Sequence, residues 1–264
     1  MIRMTDLHVT FNRGTAMEKK ALRGVTLDIK KGDFVCVIGG NGAGKTTLLN
    51  ALCGDVFPEK GKISIDNKDV TNLSTWQRAP YVARVFQDPM AGTCANLTIE
   101  ENLALAMGRG AKRTFKMALN KEHRDKFRAQ LSRLKLGLEN RLQDPIGMLS
   151  GGQRQAVSLV MAVLRPMKII ALDEHTAALD PKTAAFILEL THEIVEEHYL
   201  TTLMVTHSMH QALELGNRTL MLHEGRVVFD VEGEKRRGLK VSDLLDLFHQ
   251  ASGLELDDDS LLLS

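Results

Sequence analysis

A chain of 264 residues has room for one large domain or two small ones, at roughly 150 residues per domain. Its 34 Lys and Arg against 33 Asp and Glu leave a net charge of +1, so no overall field is present to hold a nucleic acid backbone and no nucleic acid partner is expected. With 44% hydrophobic and 25% charged residues, the composition is that of a globular protein and excludes collagen-like, disordered and integral-membrane classes.

The longest apolar runs, Phe34 to Ile38 and Ile169 to Leu172, fall far short of the roughly 20 residues of a membrane-spanning helix. Met1 to Asp6 lacks the apolar stretch and cleavage site of a signal peptide, so the chain is expected to stay in the cytoplasm. Cys36, Cys53 and Cys94 are odd in number and form no C-x-x-C pair. They are expected as small buried or half-buried hydrophobes rather than as a disulfide framework or a metal site.

Taken in order, Leu7 to Phe11 and Val25 to Ile29 alternate apolar and polar residues, which predicts half-buried strands of an antiparallel layer. Phe34 to Ile38 is apolar on both faces, as a strand inside a parallel sheet must be, and it runs into glycines. Residues 90 to 148 turn charged and helical. Thr98 to Glu101 reads as a capping box, and Lys121 to Lys135 spaces Phe127, Leu131 and Leu134 at the helical period. This stretch predicts a helical insert, about residues 90–165, with strand character resuming at Lys168. Strands 169–172, 202–205 and 219–222 then alternate with helices near 152–164, 181–198 and 208–215, the signature of a parallel α/β sheet. Val227 to Phe229 predicts a short strand, Gly233 to Gly238 a solvated turn, and Val241 to Gln250 a last helix packing Leu244, Leu245 and Leu247. Asp257 to Asp259 forms an acidic tail expected to fray.

Gly39-Gly40-Asn41-Gly42-Ala43-Gly44-Lys45-Thr46 matches G-x-x-x-x-G-K-[ST] between a buried strand and a helix beginning near Lys45. Glycines let several backbone N–H groups point inward, and the helix N-terminus adds its positive dipole end at the same spot. Lys45 then reaches the terminal phosphates of a nucleotide and the Thr46 hydroxyl ligates Mg²⁺. Asp173 and Glu174 follow an apolar strand, where ligands of open α/β sheets bind. Asp173 is placed for the Mg²⁺ shell, and Glu174 for a carboxylate that orients the attacking water.

Leu149-Ser150-Gly151-Gly152-Gln153-Arg154-Gln155 opens a helix with a hydroxyl and two glycines, a second backbone anion site. This string resembles the signature motif of ABC-transporter ATPases. The phosphate loop, the signature, Asp173-Glu174, Ala178-Leu179-Asp180 and His207 stand in that family's order, and the similarity covers roughly residues 3 to 230. The resemblance implies a P-loop NTPase of α/β class, with a RecA-like core, an antiparallel β flank and a helical insert. It divides the chain into a cassette over 1–230 and a short extension over 231–264.

The same resemblance implies ATP and Mg²⁺ as cofactors. Phe11 would stack on adenine, with a core aromatic on an alternating strand as the lesser alternative. Gly39 to Lys45, Thr46 and Thr47 would hold the phosphates of one chain's ATP. Ser150, Gly151, Gly152 and Gln153 would serve the ATP of a second chain. Thr46, Gln87 and Asp173 would touch the metal, while Glu174, His207, Gln87 and Asp180 would take part in hydrolysis. Many family members carry proline directly after the glutamate, where this chain has His175. That imidazole could add a titratable neighbour to Glu174 or point away from it. His210 and His223 read as surface residues.

Each motif occurs once, so the functional unit is expected to be completed by another chain, and the resemblance implies a head-to-tail homodimer. Asp88 to Leu105 and the Asp-Glu-His-Thr string resemble bacterial transport ATPases paired with a permease and a substrate-binding lipoprotein, some of them linked to uptake of aromatic amino acids. The expected role is the energy-coupling subunit of an importer at the cytoplasmic face of the membrane. A soluble ABC ATPase of repair, translation or cofactor assembly, or an export ATPase, is the alternative. The resemblance implies a docking groove for the membrane subunit lined by residues from about Phe86 to Leu105, where Met90, Ala91, Cys94, Ala95 and Leu97 offer apolar surface; the alternative is that these residues bury against the insert's own helices.

Overall fold

The computed structural model describes residues 1–111 and 118–252, with side chains to residue 250; the acidic residues Asp257 to Asp259 lie outside them. In chain order the elements are β1 (Ile2–Phe11), β2 (Lys19–Ile29), β3 (Phe34–Ile38), α1 (Lys45–Cys53), β4 (Lys60–Ile65), β5 (Lys68–Asp69), α2 (Thr75–Arg78), β6 (Val82–Val85), α3 (Ile99–Met107), α4 (Lys121–Ser132), α5 (Gly151–Val163), β7 (Ile169–Asp173), α6 (Pro181–Glu197), β8 (Thr202–Val205), α7 (Met209–Glu214), β9 (Arg218–His223), β10 (Arg226–Glu232), α8 (Glu234–Arg237) and α9 (Val241–Ser252). They divide between two compact units, one built from residues up to Arg78 and from Tyr199 onward, the other from Ala79–His198.

In the first unit, β1 lies between β2 and β4, antiparallel to both, with Ile2 opposite Ile29 and Ile65. Ile2, Met4, Leu7 and Val9 are buried, and the change of parity between Met4 and Leu7 is absorbed by a register shift at Asp6, whose φ is 50°. This is the expected antiparallel layer. β3 is buried at every residue and pairs in parallel with β8 on one side and β9 on the other. A strand so enclosed needs apolar side chains on both faces. β9 turns through Glu224 and Gly225, both at positive φ, into antiparallel β10, as a tight hairpin requires.

Two details of the first unit differ from the sequence reading. Gly233 to Gly238 is not a solvated turn: it contains α8, and Arg236 is buried, donating to Thr219 Oγ1, Ala212 O, Leu213 O and Leu215 O over 2.6–3.0 Å. A guanidinium has enough donors to satisfy the carbonyls at the end of α7 at once. On α9 the buried side chains are Leu244 and Phe248, one helical turn apart, while Leu245 and Leu247 are half-buried.

The second unit pairs β6 in parallel with β7, Ala83 opposite Ile170. Strand β6 went unread because it is four residues long and has Arg84 in its middle. Around this pair lie α3, α4, α5 and α6. The capping box at the start of α3 forms, with Glu101 N–H donating to Thr98 Oγ1 at 3.2 Å and Thr98 N–H donating to Glu101 Oε2 at 2.7 Å. Helix α4 buries Phe127 and Leu131. Cys36 and Cys53 are buried as expected, but Cys94 is exposed. Among the described residues no helix is long and apolar enough to cross a membrane.

Candidate functional site

Strand β3 delivers the chain into the glycine loop, where Gly39, Gly42 and Gly44 take φ of 146°, 76° and 106°. A Cβ on Gly39 would stand 2.1 Å from Leu222 O, and one on Gly44 would stand 2.5 Å from Ala21 O. The loop is therefore pressed against β9 and β2 at positions that only glycine can occupy. Lys45 curls back into it, its buried Nζ donating to Gly39 O at 2.8 Å and Gly40 O at 3.2 Å. Asn41, Gly42 and Thr46 are exposed, Ala43 is buried, and Thr47 is half-buried.

Gly44 caps α1 without a side-chain hydrogen bond, and the first turn of α1 contains no acidic residue. A helix start left without a capping side chain or a carboxylate presents its amide groups and dipole to an external anion. The loop thus fits a phosphate group by its own geometry. Two parts of its setting were not read from sequence. The Nζ of Lys19 stands 3.0 Å from where a Cβ on Gly42 would be, adding a second cation. Gly225 N–H donates to Ala43 O at 2.9 Å, so the β9–β10 turn buttresses the loop.

Two more features of the first unit belong with the loop. Phe11, at the end of β1, is 38% exposed, which removes the core-aromatic reading and leaves its ring face available for stacking. His207 is half-buried in the turn after β8. That turn is pinned by Ser208 N–H donating to Thr206 Oγ1 and by Thr206 Oγ1 donating to Gln211 Oε1 at 2.8 Å. His223 is half-buried rather than at the surface, its ring edge-on to Phe248 at 5.8 Å. Phe248 Cζ in turn lies 3.6 Å from the Cβ position of Gly40.

In the second unit, β7 ends at Asp173, buried, whose Oδ2 accepts from Arg84 Nη2 at 2.6 Å. The Arg84 guanidinium also lies 4.5 Å from the centre of the Phe86 ring. The single buried carboxylate of Asp173 at this strand end fits Mg²⁺, which binds through one or two carboxylates and completes its shell with phosphate and water. Glu174 follows at φ 44°, half-buried. His175 is 2% exposed, and its Nε2 lies 2.9 Å from Thr191 Oγ1. It points into the protein, not to the surface, and burial pushes its pKa down to about 4.

Gln87 is exposed beside Phe86, whose carbonyl accepts from buried Gln155 Nε2 at 3.1 Å. Ser150 is the N-cap of α5 and forms a capping box with Gln153, a role that the S-x-x-Q spacing could have disclosed. Gly151 is exposed with Leu179 Cδ2 3.5 Å from its Cβ position, whereas a Cβ on Gly152 would stand 2.1 Å from Thr183 Cγ2. Gly152 is thus required by the close approach of α5 to α6. Asp180 caps α6, accepting from Thr183 N–H at 3.1 Å, and hydrogen bonding from the Thr183 side chain, together with that backbone bond, holds its carboxyl below the usual carboxylate range. A groove of about 380 Å³ opens beside the Gln87 loop, lined by Phe86, Pro89, Cys94, Leu105 and Met161 among others. Ala95 is not among its lining residues, and Arg154 engages Met90.

Comparison with known proteins gives this arrangement its class. The ABC transporter family matches residues 22–177. The tyrosine transport ATP-binding protein of Clostridioides difficile (strain R20291) is 41% identical over 251 residues, 95% of this chain and 100% of that one. The thiamine import ATP-binding protein ThiQ of Shigella flexneri serotype 5b (strain 8401) is 32% identical, over 82% of this chain and 88% of that one. Among solved structures, the dimeric post-hydrolysis state of the ATP-binding cassette MJ0796 bound to ADP and Pi is 30% identical with a TM-score of 0.75, covering 90% of this chain and 100% of that one. The chain belongs to the ABC transporter family, with the P-loop α/β fold of its ATPase cassettes.

Proposed function

We propose that the chain is the ATP-hydrolysing subunit of an importer for an aromatic amino acid, working as a head-to-tail dimer on a membrane permease. The ATPase assignment follows from family membership; the cargo reading is supported by the full-length similarity to a tyrosine transport ATP-binding protein. Gly39 to Thr47 bind the phosphates, Lys45 compensates their charge, and Phe11 stacks on the base. When bound, Mg²⁺ would be held by Thr46, Gln87 and Asp173, and would neutralise charge on the transferring phosphoryl group. Glu174 orients the attacking water and accepts its proton, and His207 donates a hydrogen bond to the terminal phosphate. Asp180 stands at the start of α6 to transmit the state of the site to the partner chain. The signature residues Ser150 to Gln153 serve the partner's nucleotide.

The similarity to transport and import ATP-binding proteins supports action at the cytoplasmic side of the membrane through a membrane partner. The groove beside Gln87 supports that reading, since it combines apolar lining with the exposed loop that carries Gln87. A substrate-binding lipoprotein would deliver the cargo. The test is reconstitution with a permease that co-purifies with the chain and with a substrate-binding lipoprotein. Tyrosine or phenylalanine should raise ATP hydrolysis and drive uptake, and thiamine should not. Stimulation by thiamine alone, or by no imported solute, overturns the cargo assignment.

A further inference from the structure

Glu174 leaves β7 with φ 44°, a left-handed conformation that is unfavourable for a non-glycine residue. Such strain persists only where the surroundings hold it. Glu174 opens a four-residue turn closed by Ala177 N–H donating to Glu174 O at 3.0 Å. The second position of a turn is where proline is favoured, because its ring fixes φ. His175 occupies that position and has no such ring.

What it has is a buried hydrogen bond. Thr191, fully buried on α6, donates its one hydroxyl proton to Ile187 O at 2.7 Å. Its oxygen therefore accepts from His175 Nε2 at 2.9 Å, which assigns the proton to Nε2. Helix α6 is itself fixed at its start by the Asp180 cap. We propose that the His175–Thr191 hydrogen bond is a buried tie that holds the turn in the conformation presenting Glu174, making His175 a positioning residue for hydrolysis. The proposal rests on the reading of Glu174 as the residue that orients water.

The phosphate loop lies on the other unit, so loosening the tie should slow the chemical step without weakening nucleotide binding. His175→Ala and Thr191→Val should each lower kcat by about tenfold or more, since small misplacements of a catalytic group cost up to ~10²-fold, with KM for ATP within about twofold. Thr191→Ser, which keeps the hydroxyl, should stay within about threefold of the parent kcat. The double variant should be no slower than the slower single one, because both remove one bond. Parent-like kcat in folded His175→Ala and Thr191→Val, or losses that multiply, overturns the tie. So does an Nδ1-protonated His175 in ¹⁵N NMR of the unaltered chain, a measurement that needs no variant to fold. Glu174→Gln separates the two readings. If it hydrolyses ATP at the parent rate, the role of Glu174 fails; if it is inactive while the tie variants are not, only the tie fails.

Discussion

At the scale of single residues, the most constrained side chain is one that the sequence hides. Arg78 is 0% exposed, and its guanidinium donates to Leu73 O, Ala51 O, Leu52 O and Thr71 O over 2.5–2.8 Å. Two of those carbonyls end α1, where a cation also complements the helix dipole. The Arg78→Met variant leaves all four acceptors buried without their donors. At about 1–3 kcal/mol for each unsatisfied group after partial rescue by water, the variant should lose at least about 3 kcal/mol of stability, read as a shift of the urea midpoint at unchanged slope. The cysteines make a second residue-scale case. Burial pushes the Cys36 thiol up to about 12 and its Sγ donates to Leu215 O, while Cys94 is exposed and lines the groove. At pH 8 iodoacetamide should alkylate Cys94 and spare Cys36, because only the thiolate reacts. Permease bound in the groove should protect Cys94; equal labelling with and without the permease would place the membrane contact elsewhere.

At the scale of elements, what the sequence discloses depends on whether a signal is local. The strand β3, its glycine loop and the start of α1 were legible because apolar run, turn chemistry and helix start are contiguous. The same holds for β7 with Asp173 and Glu174, and for the α3 capping box. Strand β6 was not legible, since Arg84 interrupts its apolar pattern and its reason, an ion pair to Asp173, lies 89 residues away. Nor was α8, whose charged run reads as solvated until Arg236 is seen to reach the end of α7. The same limit hid the packing of α9. Phe248 sits against both His223 and Gly40, so this helix backs the phosphate loop from outside the motif. Phe248→Ala removes that backing and should weaken ATP binding about three- to tenfold, by loss of buried contacts of the order of 1 kcal/mol that bear on the loop. Fluorescent-nucleotide titration checks it, and unchanged affinity in the folded variant would make α9 a passive cover.

At the scale of the whole molecule, each motif occurs once. The loop carrying Lys45 and the helix start carrying Ser150 to Gln153 belong to different compact units, and the proposed dimer sets one chain's loop against its partner's signature. Gly151 is the position at which to test this, because it is exposed and has room for a side chain, whereas any side chain at Gly152 collides with Thr183. Gly151→Asp brings a negative charge towards the partner's phosphates, a repulsion that binding to the isolated chain does not feel. It should therefore keep the ATP affinity of the monomer and abolish turnover, while Lys45→Ala loses affinity directly. In a head-to-tail pair of one Lys45→Ala chain with one Gly151→Asp chain, both defects fall in the same site and the other site is whole. An equal mixture should then recover turnover up to about a quarter of the parental sites, half the dimers being mixed and each holding one intact site of two. Neither variant alone should show activity at any concentration. If the mixture stays as inactive as its components, each chain completes its own site or both sites must fire together. Single-site nucleotide trapping in the mixed dimer distinguishes these outcomes, because a self-contained site leaves no whole site to trap ATP in any mixed pair.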